Sequence, residues 1–298
     1  MSGAQRLLQS APRLLDRAAI RRQFDRASSH YDESAVLAAQ LRGQMIERLD
    51  WIDFAPGTVL DLGCGTGHGA VALGALWPRA RIIALDSSPG MLREISRLDE
   101  EARIERLCAE AESLPLPDAS IDLVFSNLLL PWCEDLDAVF AEAARVLKPR
   151  GLFTFTTFGP DTLIELRAAW SAVDVSTHVH PFTDMHDLGD GLIRAGLTEP
   201  VLDVSRYTVT YPDLVSLMRD LKAIGAQNAA TARPRGLTGR DRLRAVEEAY
   251  EGFRSEGLLP ASHEVVFGQA WGALPRDERE GEFAFPVSDI GRREPRGR

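Results

Sequence analysis

The sequence feature that most restricts the possible folds of this chain is a run of glycines directly after a short apolar segment. The segment reads Val59-Leu-Asp-Leu-Gly-Cys-Gly-Thr-Gly-His-Gly69. A strand that ends in glycines and leads into a helix lets backbone approach a ligand at the carboxyl edge of a parallel sheet. The alternative is a plain strand–helix turn in which the nearby acids cap helices. Because glycine clusters cost conformational entropy, we favour a ligand site.

The segments around this loop alternate between strand-like and helical patterns. Continuous apolar strands separated by helices are typical of a parallel sheet that is covered on both faces, so we predict an α/β fold. The predicted strands are 58–63, 81–86, 104–109, 121–127 and 152–158, and the predicted helices are 69–77, 89–98 and 135–147, the last ended by 148–151. After Gly159 we predict helices at 161–173, 184–195, 213–224 and 240–256, and strands at 200–211 and 264–270.

Composition excludes several classes of protein. The net charge is −10, which argues against binding of nucleic acid over the whole surface. No stretch approaches the ~20 apolar residues that span a bilayer. Cys64, Cys108 and Cys133 form no C-x-x-C pair and lie in or beside strand-like runs, which predicts buried, reduced thiols in a cytoplasmic protein. Met1 to Arg22 is rich in arginine, and we interpret it as an amphipathic helix rather than a mitochondrial presequence.

The charges around the glycine loop distinguish between two kinds of cofactor. A dinucleotide prefers G-x-G-x-x-G, with its pyrophosphate on the helix N-terminus. Here the spacing is G-x-G-x-G, and Asp61 lies two residues before Gly63. A carboxylate there would repel a pyrophosphate and attract an ammonium group, which favours S-adenosylmethionine. Asp86, at the end of the second predicted strand, can accept hydrogen bonds from ribose hydroxyls.

Four successive motifs resemble those of class I S-adenosylmethionine-dependent methyltransferases: 61–67, 86–91, 109–115 and 122–128. Three others, 24–32, 127–132 and 217–226, are similar to the malonyl-[acyl-carrier protein] O-methyltransferases of biotin synthesis. The similarity spans about residues 20 to 272. It implies a Rossmann-like, mostly parallel seven-stranded sheet with helices on both faces. It also implies an N-terminal helical segment (1–50), a methyltransferase domain (51–273) with helical insertions near 160–183 and 212–258, and a flexible tail (274–298).

The resemblance also assigns residues to the cofactor. Asp61, Gly63 and Gly65 would contact its methionine end, with Asn127 closing that side. Asp86 would bind the ribose and Glu110 the adenine amino group, although the family more usually has Asp where this chain has Glu110. The remaining members of the predicted cofactor site are Cys64, Ser87, Met91, Ala109 and Ala111.

The implied reaction is esterification of the free carboxylate of a malonyl thioester on acyl carrier protein or coenzyme A. A carboxylate is ionised at pH 7 and needs no general base, in agreement with the absence of a Ser-His-Asp or Cys-His pattern. Tyr31 is the predicted catalytic residue, and the alternative is a tyrosine half-buried against the sheet. Phe182 and Trp132 could form the substrate pocket or belong to the core.

The segment 219–244 holds a group of basic residues for which we predict a docking role. Arg219 and Lys222 are spaced to share one helix face, and Arg233, Arg235, Arg240, Arg242 and Arg244 follow. They could bind a phosphopantetheine phosphate or an acidic carrier protein, or simply face solvent. His178, His180 and His186 lack a metal-ligand spacing, so we predict no metal. We expect a monomer that binds neither membrane nor nucleic acid.

Two other functions share this pattern of motifs. One is C-methylation of a quinone precursor, which would require a base near the acceptor carbon. The other is an S-adenosylmethionine-binding assembly factor, similar to the mitochondrial protein that hydroxylates an arginine of respiratory complex I. The segment 184–190 and the arginine-rich start keep this second alternative open.

Overall fold

The computed structural model describes residues 15–234, 236 and 238–274. The predicted tail beyond residue 274, Arg235 and the first part of the predicted N-terminal helix lie outside the described residues. Within the part that is described, no helix is long and apolar enough to cross a membrane.

A seven-stranded sheet forms the centre of the protein, with strand order β3-β2-β1-β4-β5-β7-β6. The strands are β1 (Thr58–Leu62), β2 (Arg81–Asp86), β3 (Ile104–Cys108), β4 (Ile121–Asn127), β5 (Leu147–Phe158), β6 (Thr198–Tyr211) and β7 (Leu259–Trp271). The first five pair in parallel, and β7 runs antiparallel to both β5 and β6. The predicted α/β class with a mostly parallel seven-stranded sheet is confirmed.

Ten α-helices surround this sheet in the described part of the chain. They are α1 (Arg17–Ala27), α2 (Tyr31–Ser34), α3 (Val36–Leu49), α4 (His68–Leu76), α5 (Pro89–Leu98), α6 (Leu136–Val146), α7 (Ile164–Ser171), α8 (Met185–Arg194), α9 (Leu214–Ala223) and α10 (Arg240–Glu251). Because side chains alternate across a strand, neighbouring residues of β4 enter different cores: Val124 packs with α6 and α8, and Phe125 with α3, α4 and α5. A third core, around Trp170, Leu217 and Tyr250, joins α7, α9 and α10.

The antiparallel strands extend past the rest of the sheet. The pairing of β5 with β7 ends at Phe158 and Val265, whereas that of β6 with β7 continues to Tyr211 and Leu259. The two strands therefore form a ribbon beyond the sheet, and α9 and α10 lie in the chain between the ends of this ribbon.

Several sequence predictions differ from the structure, among them the end of α10, which lies at Glu251 rather than at residue 256. Strand β5 begins at Leu147, whereas the sequence predicts a loop over 148–151 because Pro149 normally interrupts a strand. The strand accommodates Pro149 through a shift in its pairing with β4 and a positive φ of 61° at Arg150. Strand β7 begins at Leu259 rather than at residue 264. Cys108 is exposed, not buried, because β3 is an edge strand.

Candidate active site

The glycine loop between β1 and α4 lies at the carboxyl ends of the parallel strands. Gly63 has a φ of +74°, and a Cβ added there would lie 2.7 Å from the Cβ of Leu129. Only glycine allows this close approach between the loop and the segment that follows β4. The backbone at Gly63 and Gly65 therefore lines the cavity described below.

Asp61 lies beneath this loop rather than in the cavity wall. Its buried carboxylate accepts a hydrogen bond from the backbone of Ala70, in the first turn of α4, and its Oδ2 has no partner. A Cβ on Gly69 would lie 2.6 Å from this Oδ2, so the helix can start over the carboxylate only with glycine there. Burial, and secondarily the charge of Asp86, raise the pKa of Asp61 to about 7.

Asp86 ends β2 and faces the cavity. Its Oδ2 accepts a hydrogen bond from the Gly65 N–H at 3.0 Å, and its Oδ1 accepts one from the Ser88 N–H at 2.8 Å. Burial raises the pKa of Asp86 to about 6 in spite of these bonds, and the charges of Asp25 and Glu110 raise it further. This end of the cavity is therefore acidic.

A cavity of about 1090 Å³ opens beside these residues. This volume exceeds the usual range of a single small-ligand site, about 300–1,000 Å³. All the predicted cofactor residues line it except Asp61 and Cys64: they are Gly63, Gly65, Asp86, Ser87, Met91, Ala109, Glu110, Ala111 and Asn127. Cys64 is buried, and burial raises the pKa of its thiol well above the ordinary value.

Asn127 already uses both ends of its amide within the protein. Its Nδ2 donates to the Ala38 carbonyl at 3.0 Å, and its Oδ1 accepts from the Thr156 hydroxyl at 2.7 Å. Asn127 therefore holds α3 against the ends of β4 and β5 while it lines the cavity.

Two acids that the sequence predictions missed attach the N-terminal helices to the cofactor loops. Asp25 of α1 accepts hydrogen bonds from the Ser88 hydroxyl at 2.6 Å and the Gly90 N–H at 2.7 Å. Asp32 of α2 accepts one from the Thr66 hydroxyl at 2.7 Å. Both acids belong to the motif 24–32, and this motif was the available signal. We call these contacts the N-terminal clasp.

Tyr31 lies beside Asp32 and lines the cavity. Burial, followed by the charges of Asp86 and Asp32, raises the pKa of Tyr31 to about 12. Its phenol is therefore neutral at pH 7 and can donate a hydrogen bond into the cavity.

The other side of the cavity is lined by a chain of rings in edge-on or tilted contact, which we call the aromatic wall. Neighbouring ring centroids are 5.0–5.7 Å apart. In order, the members are Phe24, Trp132, His180, Phe182, Phe158 and His263. Both Phe182 and Trp132 thus face the cavity.

The predicted basic group does not form one surface. Lys222 lines the cavity and is exposed, and Arg219, one turn before it on α9, is exposed as well. Arg233 instead pairs with Asp16 at 2.9 Å.

Of the remaining bases, Arg242 lies 3.6 Å from Asp174. Arg240 and Arg244 are exposed at the start of α10. Among the members of the predicted group that the structure describes, Lys222 alone lines the cavity.

The three histidines considered as metal ligands have separate environments. His178 stacks on Trp170 and bonds to Asp174, whereas His186 is exposed beside Asp184. Across residues 15–234, 236 and 238–274, no group of three or more His, Cys, Asp or Glu side chains could hold a metal ion.

Comparison with known proteins identifies the family. A methyltransferase-domain family matches residues 60–155. The malonyl-[acyl-carrier protein] O-methyltransferase of Methylovorus sp. is 51% identical over 265 residues, covering 87% of this chain and 90% of the relative. The chain belongs to this family. The enzyme of the same name from Laribacter hongkongensis is 48% identical over 275 residues, covering 89% of this chain and 92% of the relative.

Membership makes the protein an S-adenosylmethionine-dependent methyltransferase. The YcgJ protein of Bacillus subtilis shares the fold, with a TM-score of 0.54 at 21% identity over 78% of this chain and 98% of that one. The names of the close relatives favour neither the complex I assembly factor nor the quinone C-methyltransferase.

The residues at the acidic end fit this cofactor. S-adenosylmethionine offers hydroxyl and amino donors and a positive charge, and the cavity presents the carboxylates of Asp86 and Glu110. The like charges that raise the pKa of Asp86 would repel a pyrophosphate and attract a cation.

Proposed function

We propose that the protein transfers a methyl group to the free carboxylate of malonyl-[acyl-carrier protein], an early step of biotin synthesis. The names of the close relatives support this substrate. The observation that carries the proposal is the single cavity of about 1090 Å³ that joins the acidic cofactor end to the aromatic wall. It offers space for a cofactor and an acyl arm side by side.

The cofactor end would bind through the residues already in the cavity wall. Asp86 would accept hydrogen bonds from the ribose hydroxyls and Glu110 from the adenine amino group. The backbone at Gly63 and Gly65 would lie against the methionine end. Asp61 would act from beneath the loop, where its negative charge favours the cationic part of the cofactor without direct contact.

S-adenosylmethionine supplies an electrophilic methyl group on its sulfonium. The acceptor carboxylate is ionised at neutral pH, so the protein needs to hold and orient it rather than remove a proton from it. Tyr31, neutral with a pKa of about 12, would donate a hydrogen bond to an oxygen of the carboxylate. The protein would thus act by positioning, which can supply roughly 7–11 kcal/mol of a reaction barrier.

The far side of the cavity would hold the arm that carries the malonyl group. Phe182 and Trp132 give it an apolar surface, and Lys222 places a positive charge on the lining. We propose that Lys222 and Arg219 meet the phosphate of the arm or the acidic surface of the carrier protein. We also propose that the enzyme acts as a monomer, which light scattering of the purified protein tests.

The decisive assay incubates the protein with methyl-labelled S-adenosylmethionine and malonyl-acyl carrier protein. We expect a labelled, base-labile methyl ester on the carrier protein, and no ester with acetyl-acyl carrier protein, which lacks the free carboxylate. Bound cofactor without ester would contradict the proposal. Malonyl-coenzyme A in a parallel reaction tests whether the carrier protein itself is required.

Docking by the basic residues is tested in the same assay with Arg219→Glu and Lys222→Glu. We expect the KM for malonyl-acyl carrier protein to rise about tenfold in the double variant at low salt, because interface charges are reversed. Arg194→Glu is the matched control: this exposed arginine lies on α8 and pairs with Asp137 at 2.7 Å. An unchanged KM in the double variant would contradict docking at this site.

A further inference from the structure

One member of the aromatic wall has an unused hydrogen-bonding atom. His180 is only 7% exposed, yet it lines the cavity. Its ring lies between those of Trp132 and Phe182, at centroid distances of 5.3 and 5.0 Å. Its Nε2 is buried and has no hydrogen-bond partner among the described residues. A buried polar atom without a partner is uncommon in a folded protein and requires an explanation.

The surroundings of His180 determine which kind of partner is missing. The ring bonds to the backbone of Pro131, and because proline has no N–H, the bond runs from the ring to the proline carbonyl. Since Nε2 is unpartnered, the donor is Nδ1. Burial, together with the nearby charge of Arg167, lowers the pKa of His180, so the ring is neutral at pH 7 and Nε2 only accepts.

This chemistry excludes the malonyl carboxylate as the partner, because a carboxylate also only accepts. It requires an N–H or O–H donor that reaches the aromatic wall. The thioester arm of an acyl carrier protein contains two secondary amides separated by methylenes, and one hydroxyl that lies further from the thioester than both amides. The methylenes suit the rings of Trp132 and Phe182, and an amide N–H supplies the missing donor.

We propose that His180 is a specificity residue that contacts the substrate: its Nε2 accepts a hydrogen bond from a secondary amide N–H of the arm that carries the malonyl thioester. This inference rests on the proposed function and adds to it a means of recognising the arm. Because Nε2 is buried, an arm without the N–H leaves a buried acceptor unpaired.

The test compares malonyl-acyl carrier proteins that carry the natural arm or an arm with one amide nitrogen methylated. For the wild-type protein we expect kcat/KM to fall about tenfold, or about 1.4 kcal/mol, with one of the two methylated arms. For His180→Phe, which keeps a ring in the wall, we expect a similar fall with the natural arm and no further loss on methylation. In both comparisons we expect the fall in kcat/KM to arise mainly from a higher KM.

A matched control is His186→Phe, because His186 is exposed and paired with Asp184. It should retain the wild-type difference between the arms. Equal rates of the wild-type protein with all arms would overturn the inference, and this measurement does not depend on the folding of a variant. A difference that persists in His180→Phe, or a parallel loss of affinity for S-adenosylmethionine, would also overturn it. If no arm yields any ester, the proposed function itself fails.

Discussion

Acidic pH should weaken the binding of S-adenosylmethionine through Asp86. The pKa of this carboxyl is raised to about 6 by burial and by its acidic neighbours, and the proposed ribose contact needs its ionised form. An acid with a raised pKa loses its charge as the pH falls through that value. At pH 5 about one molecule in eleven would keep the charge, so the Kd should be roughly tenfold higher than at pH 8.

Isothermal titration from pH 8 to pH 5 measures this dependence directly. In Asp86→Asn we expect weaker binding at pH 8 and a smaller change toward pH 5. The pKa of Asp61, about 7, lies in the same range. It loses the contribution of the Asp86 charge in this variant, so any dependence that remains should be centred below pH 7.

The matched control for this titration is Asp118→Asn. The side chain of Asp118 is exposed and pairs with Arg145 at 2.6 Å, and it does not line the cavity. This variant should follow the wild-type profile. A wild-type Kd that stays constant down to pH 5, or an Asp86→Asn profile identical to the wild-type one, would refute the reasoning.

Three further predictions concern catalysis, the N-terminal clasp and packing. Tyr31→Phe should lower kcat about tenfold with little change in cofactor Kd, because one hydrogen bond to the carboxylate is lost; steady-state kinetics and titration measure both, and an unchanged kcat would contradict the role. Asp25→Ala, which removes the oxygen that accepts both bonds, should lower the free energy of unfolding by about 1–2 kcal/mol and increase hydrogen exchange in α1 and α5, whereas protection equal to wild type would argue against the clasp. Gly268→Ala should lower the free energy of unfolding, measured in denaturant, by about 1–3 kcal/mol, because the new Cβ would lie 2.2 Å from Cζ of Phe155. Gly43→Ala should raise it by about 0.5–1 kcal/mol, because Gly43 lies in α3 and has open space around it. Equal stabilities of these two variants would contradict the packing argument.

The parallel half of the sheet could be predicted from sequence because its strands are buried on both faces. In β4, four consecutive residues from Leu123 to Ser126 are fully buried, so the strand is a continuous run without exposed alternate positions. The glycine loop marks the end of β1 just as clearly. The predicted bounds of β2 and β4 therefore match the structure, and the predicted end of β1 differs by one residue.

The ends of the antiparallel strands were harder to predict from sequence, because one end of a strand can have a neighbouring strand on one side only while the rest has one on both sides. Residues 259–263 of β7 pair only with β6, beyond the edge of β5, and they include Pro260. A short polar segment with proline does not resemble a strand, and only the long-range pairing makes it one. The start of β5 was missed for the same reason, because Pro149 falls within its bulge.

The site was predictable where a local motif contains it and not where distant segments meet. Asp86 ends β2 and Glu110 follows β3, and both line the cavity as their motifs predicted, whereas their contacts with the cofactor stay a prediction. Asp25 contacts Ser88 and Gly90, which lie 63 and 65 positions further along the chain, so no local sequence pattern predicts these contacts. The position of Asp61 beneath the loop also depends on how α4 begins over β1, which the spacing of the glycines alone does not specify.

The ribbon of β6 and β7 bears on how enzymes of this architecture could change their substrates. Tyr211 and Leu259 are paired, so the two ends of segment 212–258 lie about 5 Å apart. A segment with adjacent ends can be exchanged for one of different length at a small entropic cost, because loop closure depends only weakly on length. The segment supplies Met218 and Lys222 to the cavity, whereas the residues at the acidic end come from elsewhere. Grafting at these two positions would therefore exchange one wall of the acceptor pocket and leave the methyl-donor site and the strand register intact.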